Sequence, residues 1–459
     1  MRRRAAHSGK RNNRRNTQAA LLLAGAVLLA TVMPANTQSP ETGLAVDPDC
    51  DLTILTSYPE SFYAPFVDRF SASTNVATCV INKNTISILD HMREKRQPEP
   101  DLIWSSSPIA FRMLQDAELL AQVPEKVRPP ADFGGLAVDA PDGSRFGFAL
   151  SRVGLMWAKT TRLPVPSDLK GLTDRALAGR IGMTSPARSG TTHLFVEVIL
   201  QQYGWQEGWA VISRLGGNIA TITARSFGVP EGVRKGRFAF GIGIDFLASV
   251  GRKPPGRLAF KPLSAQVFPA SVAITRKGAG NPLAGDFVDG LRSAGAQALL
   301  LDPAIARIPV LPGLWREAGF TPDRSPAAPA FDARLAARRL AVVTALFDEM
   351  ITYRQVELAQ LWDAVHRLEG EPLISASSVM SGHLDRVRTL LESVPVAPFM
   401  ADLNLLEPLP ADVEFRSLDG RLRIQDSWAH DFSNRFDRAR ELVAQLDAFI
   451  ADTATADRP

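Results

Sequence analysis

Residues 180–203 read RIGMTSPARSGTTHLFVEVILQQY. Arg180 to Thr184 predicts a short buried strand. From His193 to Tyr203 the apolar residues Leu194, Phe195, Val198 and Ile199 share one side, which predicts a helix. The turn between them opens that helix with Ser189, Gly190, Thr191 and Thr192. Unpaired backbone N–H groups at a helix start, with the positive end of its dipole, attract an anion. Gly190 lets the backbone come close, the hydroxyls add donors, and Arg188 adds a guanidinium suited to two-point contact with phosphate or carboxylate. Taken alone, the stretch is an ordinary capped helix, since serine and threonine are the usual cap residues. It lacks the spacing and the lysine of a P-loop.

The same strand-turn-helix unit recurs in both directions. Upstream, strands are predicted over Asp51 to Ser57, Val76 to Ile81 and Asp101 to Trp104, with helices over Phe62 to Phe70, Ile86 to Arg96 and Ile109 to Leu120. Downstream, Val153 to Ala158, Phe238 to Asp245 and Val267 to Thr275 are extended, and Gly208 to Leu215 and Asn281 to Leu300 are helical. Strands alternating with helices imply parallel sheets with right-handed crossovers. The segment RSPAAP, Arg324 to Pro329, predicts a linker. Beyond it the pattern turns helical over Phe331 to Leu368, 374–392 and 427–450, with a hairpin predicted around Asp419-Gly420.

In an open α/β sheet, ligands bind beyond the carboxyl ends of the strands. Those ends are polar here: Ser57 and Tyr58, then Asn84 and Thr85, then Ser105 and Ser106, then Arg188 to Thr192. A later polar run contributes Asn218 and Thr223. Asp245 closes an apolar strand and is suited to accept from a ligand hydroxyl, to hold Arg188, or to cap the next segment. Together these residues predict a binding site in which Arg188 holds the anionic end of a small ligand.

Composition sets the class and the compartment. The chain has 459 residues, long enough for two or three domains, with 45% apolar and 22% charged residues, as in an ordinary globular protein. Its formal charge of +4 is misleading, because seven basic residues and no acid fall within residues 2–15. Without them acids exceed bases, which removes the composition argument for nucleic-acid binding. The basic stretch precedes an apolar run from Ala19 to Met33, shorter than a membrane span. That is the layout of a secretory signal over residues 1–35, with a retained anchor as the alternative. Export makes a disulfide between Cys50 and Cys79 chemically possible, against the alternative of two buried thiols. Between Cys50 and Arg324 the only histidines are His91 and His193, neither in a metal-ligand spacing, and no nucleophile elbow occurs. The expectation is binding without catalysis, metal or cofactor.

Three stretches carry a family resemblance: TSPARSGTTHLFVEVILQQYGW (184–205), GGNIATITARSFGVPEGVRKGRFAFGIGIDF (216–246) and DLIWSSSP (101–108). Across roughly residues 50 to 315 the chain resembles bacterial ABC-transporter solute-binding proteins, in the group that takes ferric ion, hexose phosphates and phosphoglycerates. The resemblance implies a type II periplasmic binding fold: two α/β lobes with parallel sheets, joined by crossings near Ser151 to Ala158 and Val267 to Thr275. Lobe 1 would comprise 46–150 and 267–323, lobe 2 would comprise 151–266, and 331–459 would be a helical extension. It further implies a periplasmic monomer whose partners are a small anionic ligand and an ABC permease. The regulatory members imply an alternative, a sensor acting on a membrane histidine kinase. Ferric members resemble one another in using adjacent tyrosine ligands; Tyr58, Tyr63, Tyr203 and Tyr353 are all apart, which argues against iron.

Overall fold

Leu52–Thr56 (β1) is buried at all five positions, as a parallel strand covered on both faces must be. In the computed structural model, which describes residues 50–123, 133, 136–249, 258–322, 331–402 and 414–456, β1 lies between two parallel neighbours. These are Thr78–Asn82 (β2) and Leu102–Ser105 (β3). Helices Glu60–Thr74 (α1), Thr85–Arg93 (α2) and Pro108–Asp116 (α3) follow the three strands in turn. The predicted signal segment, 1–35, lies outside the described residues. Cys50 and Cys79 are joined as a disulfide, with Cα atoms 5.8 Å apart. Cys50 stands just before β1 and Cys79 stands in β2 opposite Thr53, so the parallel pairing of the two strands holds the cysteines in one neighbourhood.

Phe146–Ser151 (β4) continues directly into Val153–Trp157 (β5), and the two belong to different sheets. Arg152 is therefore the first crossing. Lobe 2 then adds Ile181–Thr184 (β6), Ile219–Thr223 (β7), Phe240–Ile244 (β8) and Ala259–Pro262 (β9). The chain returns to the first sheet as Phe268–Ile274 (β10) and ends it with Ile308–Pro309 (β11). The first sheet runs β11-β4-β10-β3-β1-β2 and the second β7-β6-β8-β5-β9. Both sheets are mixed, which corrects the expectation of parallel sheets. β10 pairs antiparallel with β3 and β4, and β5 antiparallel with β8 and β9. A strand that has just crossed from the other lobe enters its sheet against the direction set by the βα units.

Lobe 2 carries Gly190–Tyr203 (α4), Trp205–Gly217 (α5), Gly228–Arg234 (α6) and Asp245–Ser249 (α7). Lobe 1 is completed by Pro282–Arg292 (α8) and Ala294–Leu299 (α9), so the predicted helix over 281–300 breaks at Ser293, which caps the second piece. The extension comprises Ala333–Arg338 (α10), Leu340–Phe347 (α11), Gln355–Glu369 (α12), Pro372–Ala376 (α13), Ser378–Glu392 (α14), Pro398–Asp402 (α15) and Glu414–Ala456 (α16). A π-helical turn, Asp348–Thr352, separates α11 from α12. The hairpin expected at Asp419-Gly420 is not formed, because both residues lie within α16.

The extension is not a separate body. Its Trp362, Val365, Phe432 and Leu446 share one apolar core with Phe195, Trp209 and Ile212 of lobe 2. Gly217 of α5 allows the closest approach, since a Cβ there would stand 2.7 Å from Cβ of Trp362. Polar groups reinforce the seam: the Trp205 indole donates to the Val396 carbonyl at 2.8 Å, and the Ser213 hydroxyl to that of Leu391 at 2.7 Å. The first helix of the extension, α10, also packs against α3 of lobe 1. Among the described residues no helix is long and apolar enough to cross a membrane.

Candidate functional site

The carboxyl ends of the two sheets face each other across the crossings. On the lobe 1 side, parallel pairing aligns the ends of β1, β2 and β3, so the residues that follow them cluster. Ser57 and Ser105 share a hydrogen bond of 2.9 Å between their hydroxyls. The Asn84 side chain caps α2 by accepting from the Ser87 N–H at 2.9 Å, and Ser107 caps α3 by accepting from Ala110 at 3.2 Å. On the lobe 2 side, Ser189 caps α4 by accepting from the Thr192 N–H at 3.2 Å, and it accepts a second bond from the Ser226 hydroxyl at 2.8 Å. The Thr184 and Thr223 hydroxyls meet at 2.9 Å. The two sides touch at Gly190, where a Cβ would lie 3.4 Å from both the Thr85 and the Ser107 hydroxyl oxygens. The lobes are thus in contact at the mouth, and the start of α4 is too close to lobe 1 to carry a larger side chain freely.

Beneath this mouth, at the crossings, lies a buried charge cluster that sequence reasoning missed in part. Asp245 follows β8 and reaches Arg152 at the first crossing: one carboxylate oxygen accepts from the Arg152 backbone N–H at 3.1 Å and from its Nε at 3.3 Å. The other oxygen accepts from the Phe246 N–H at 2.9 Å. Burial raises the Asp245 pKa, and the positive charges of Arg152 and Arg307 oppose that rise. Arg307 itself is only 2% exposed. Its guanidinium carbon sits 4.8 Å from the ring centres of Tyr58 and Phe62 in lobe 1 and 3.6 Å from that of Phe246 in lobe 2. One nitrogen, Nη1, donates to the Ser151 hydroxyl at 3.4 Å, while Nε and Nη2 have no hydrogen-bond partner among the described residues. The Tyr58 hydroxyl is buried too, and among the described residues its polar neighbours, Ser106 and Arg307, stand outside good hydrogen-bond geometry. Its pKa is pushed up to about 12, mainly by burial, with the charge of Arg307 and a contact from Ser106 pulling it down. It remains a neutral donor at physiological pH.

The structure gathers Ser57, Tyr58, Thr85, Ser105, Ser106, Ser189, Gly190, Thr191, Thr192 and Thr223 at the facing ends, and Asp245 below them. Asn84, as the cap of α2, belongs with them, whereas Asn218 stands elsewhere and Arg188, at the same strand end as Ser189, is turned to the extension. Asn218 lies at the entry to β7, at the other end of that strand from Thr223, and its amide donates to the carbonyls of Leu172 (2.8 Å) and Asp174 (2.9 Å). Periodicity failed there because the strand IATIT was read as part of a polar run. Arg188 is exposed, and its charge acts on Asp348 in the π-helical turn of the extension, where it opposes a burial-raised pKa. It does not partner Asp245, which is taken by Arg152. For Arg307 a signal did exist: it is the only charge within the apolar run 304–311, AIARIPVL. A lone charge in such a run that enters a sheet is a buried charge in need of partners.

The sequence profile of the bacterial extracellular solute-binding proteins matches residues 57–302. The phosphoglycerate transport regulatory protein of Salmonella typhimurium is 30% identical over 354 residues, or 75% of this chain and 86% of that protein. Among solved structures, the periplasmic binding protein AfuA of Actinobacillus pleuropneumoniae, with exogenous fructose 6-phosphate bound, superposes with a TM-score of 0.55 at 17% identity, covering 66% of this chain and 98% of that one. Apo ferric ion-binding protein A of Pasteurella haemolytica gives 0.55 at 15% identity, covering 65% and 96%. At such identities the two structural likenesses speak of fold, that of the type II periplasmic binding proteins.

Proposed function

Because this chain belongs to the bacterial extracellular solute-binding proteins, we propose that it captures a small anionic solute, an organophosphate or a carboxylate, between its lobes. It then hands that solute to an ABC permease from the periplasm, which it reaches through the signal segment at 1–35. The observation that carries this reading is the convergence of two hydroxyl-rich sheet ends over a buried cluster in which two guanidinium groups face one carboxylate. Hydroxyls and backbone donors suit oxygen-rich anions, and an excess positive charge shielded from water strengthens their attraction. Ser57, Thr85, Ser105, Thr191 and Thr223 are the proposed hydroxyl contacts.

The test is a panel of 3-phosphoglycerate, glycerate, glycerol 3-phosphate, fructose 6-phosphate and ferric citrate, read by thermal shift and titration calorimetry. A true ligand at a hundred times its Kd adds about 2.7 kcal/mol of stability. If no anion of the panel raises the melting temperature or gives binding heat, the reading falls.

A second reading has its own observation. The extension contacts both lobes, through α10 on lobe 1 and the shared core on lobe 2. A body that touches both lobes is suited to report their closure to a membrane histidine kinase. Neighbouring genes for a kinase, rather than for a permease, would favour the sensor.

A further inference from the structure

We propose that Arg307 anchors the ligand: the free Nε–Nη2 edge of its guanidinium takes a two-oxygen anionic group, carboxylate or phosphoryl, by a two-point contact. The proposal rests on the solute-binding reading and deepens it by naming the residue that selects for charge.

Four observations converge. First, the two nitrogens without a hydrogen-bond partner among the described residues are adjacent along one edge of the guanidinium plane. Their N–H bonds run parallel there and match the spacing of two oxygens on one carbon or phosphorus. Second, the group is 2% exposed, so water does not satisfy these donors from bulk, and a buried unpaired cation is retained at a cost to the fold. The three rings around it attract the charge but accept none of its N–H bonds in the guanidinium plane. Third, the local charges do not balance. Asp245 gives both oxygens to Arg152 and to the Phe246 N–H, which leaves Arg307 without a bonded carboxylate among the described residues. Fourth, the Tyr58 ring lies against the same guanidinium, and its hydroxyl, whose polar neighbours are Ser106 and Arg307 itself, is buried beside it as a further donor. The other buried arginine among the described residues lacks this pattern, since Arg339 is held by Glu197, and the half-buried Arg292 is held by Asp139. The placement also ties charge recognition to closure. Tyr58 and Phe62 belong to lobe 1 and Phe246 to lobe 2, so the cage around Arg307 is complete only when the lobes meet.

The experiment uses the exported chain without its signal segment region altered, with the variants Arg307→Met and Arg307→Lys. Each is titrated with glycerate, which carries only a carboxylate, with glycerol 3-phosphate, which carries only a phosphate, and with 3-phosphoglycerate. Against whichever probe the wild type binds, Arg307→Met should weaken binding by about 100-fold or more, since two charge-assisted bonds are lost. Arg307→Lys, which keeps the charge but not the fork, should weaken it by about 10-fold. Loss confined to glycerate or to glycerol 3-phosphate identifies which group sits on the fork. Arg307→Met without ligand should melt at or above the wild-type temperature, because an unpaired buried charge has been removed. Binding within threefold of wild type in Arg307→Met overturns the anchor while leaving the solute-binding reading intact; so does wild-type affinity in Arg307→Lys for the two-point contact. A melting temperature well below wild type in Arg307→Met, with affinity retained, assigns Arg307 to the fold and overturns the proposal. No binding of any probe by the wild type removes the underlying reading, and the proposal with it.

Discussion

Two buried arginines of this chain, Arg307 and Arg339, are placed alike and provisioned differently. Both are almost fully enclosed, at 2% and 5% exposure, and both face aromatic rings. Arg339 joins the extension to lobe 2 and meets a whole carboxylate: its Nε lies 2.9 Å from one oxygen of Glu197 and its Nη2 2.6 Å from the other. Arg307 joins the lobes at the crossings and, among the described residues, meets no acceptor in hydrogen-bond geometry on the same Nε–Nη2 edge. A buried cation whose counterion is supplied by the chain is part of the fold. One whose matching edge is bare among the described residues is open to an anion from outside them. The seam between lobe 2 and the extension is therefore built to stay shut, and the seam between the lobes is built to be completed from outside.

The largest effect expected from this contrast is at Glu197. Glu197→Gln leaves Arg339 charged, buried and without its counterion, which should cost about 3–5 kcal/mol in urea denaturation. Replacing both partners by methionine should cost much less, since a well-packed apolar pair removes the desolvation penalty along with the attraction. If Glu197→Gln costs under about 1 kcal/mol, Arg339 is not relying on its carboxylate, and the contrast with Arg307 collapses.

A smaller effect sharpens the same seam through pH. His193, one turn before Glu197, is buried, and its pKa is lowered to about 4, chiefly by burial and further by Arg339, with Glu197 opposing. The folded state thus binds this proton less readily than the unfolded chain does. The stability contributed by neutral His193 is fully present above the unfolded pKa near 6.5 and is lost as pH falls from there towards 4. The loss should reach about 3 kcal/mol, and His193→Gln should flatten that part of the pH profile. A wild-type profile as flat as that of the variant would mean that His193 gains a proton inside the seam at no cost.

What the sequence revealed divides along physical lines. Elements with strong periodicity and clear turns, such as β1, β3 and α4, were legible because local pattern and tertiary burial agree in them. β4 was not, since Gly147, Ala149 and Ser151 give FGFALS little strand character and pairing with β10 and β11 decides it. The polar strand ends were legible because they follow from fold topology. Arg307 shows in the sequence only as a lone charge in an apolar run; its neighbours Tyr58, Ser151 and Phe246 are brought to it by two lobe crossings, and no spacing along the chain encodes that. The attachment of the extension was equally hidden: α5 reads as an amphipathic helix, yet its second face, at Gly216 and Gly217, is covered by Leu358 and Trp362.

The smallest effect concerns a third arginine, and it separates the sequence reading from the structural one. The sequence makes Arg188 the natural anion holder, since it precedes a helix start rich in hydroxyls. In the folded chain it stands exposed on the 3₁₀ turn Pro186–Arg188, with Asp348 of the extension as the carboxylate on which its charge acts. An exposed guanidinium is well hydrated, and a surface pairing of this kind contributes about 0–1 kcal/mol. Arg188→Ala should therefore change stability by no more than about 1 kcal/mol. It should also weaken binding of any panel anion by less than about threefold, since its charge reaches the buried cluster only through screened solvent. Calorimetry on Arg188→Ala beside Arg307→Met makes the comparison direct. A loss of tenfold or more in Arg188→Ala, with Arg307→Met unaffected, would return the anion to the start of α4 and leave the buried guanidinium without a role.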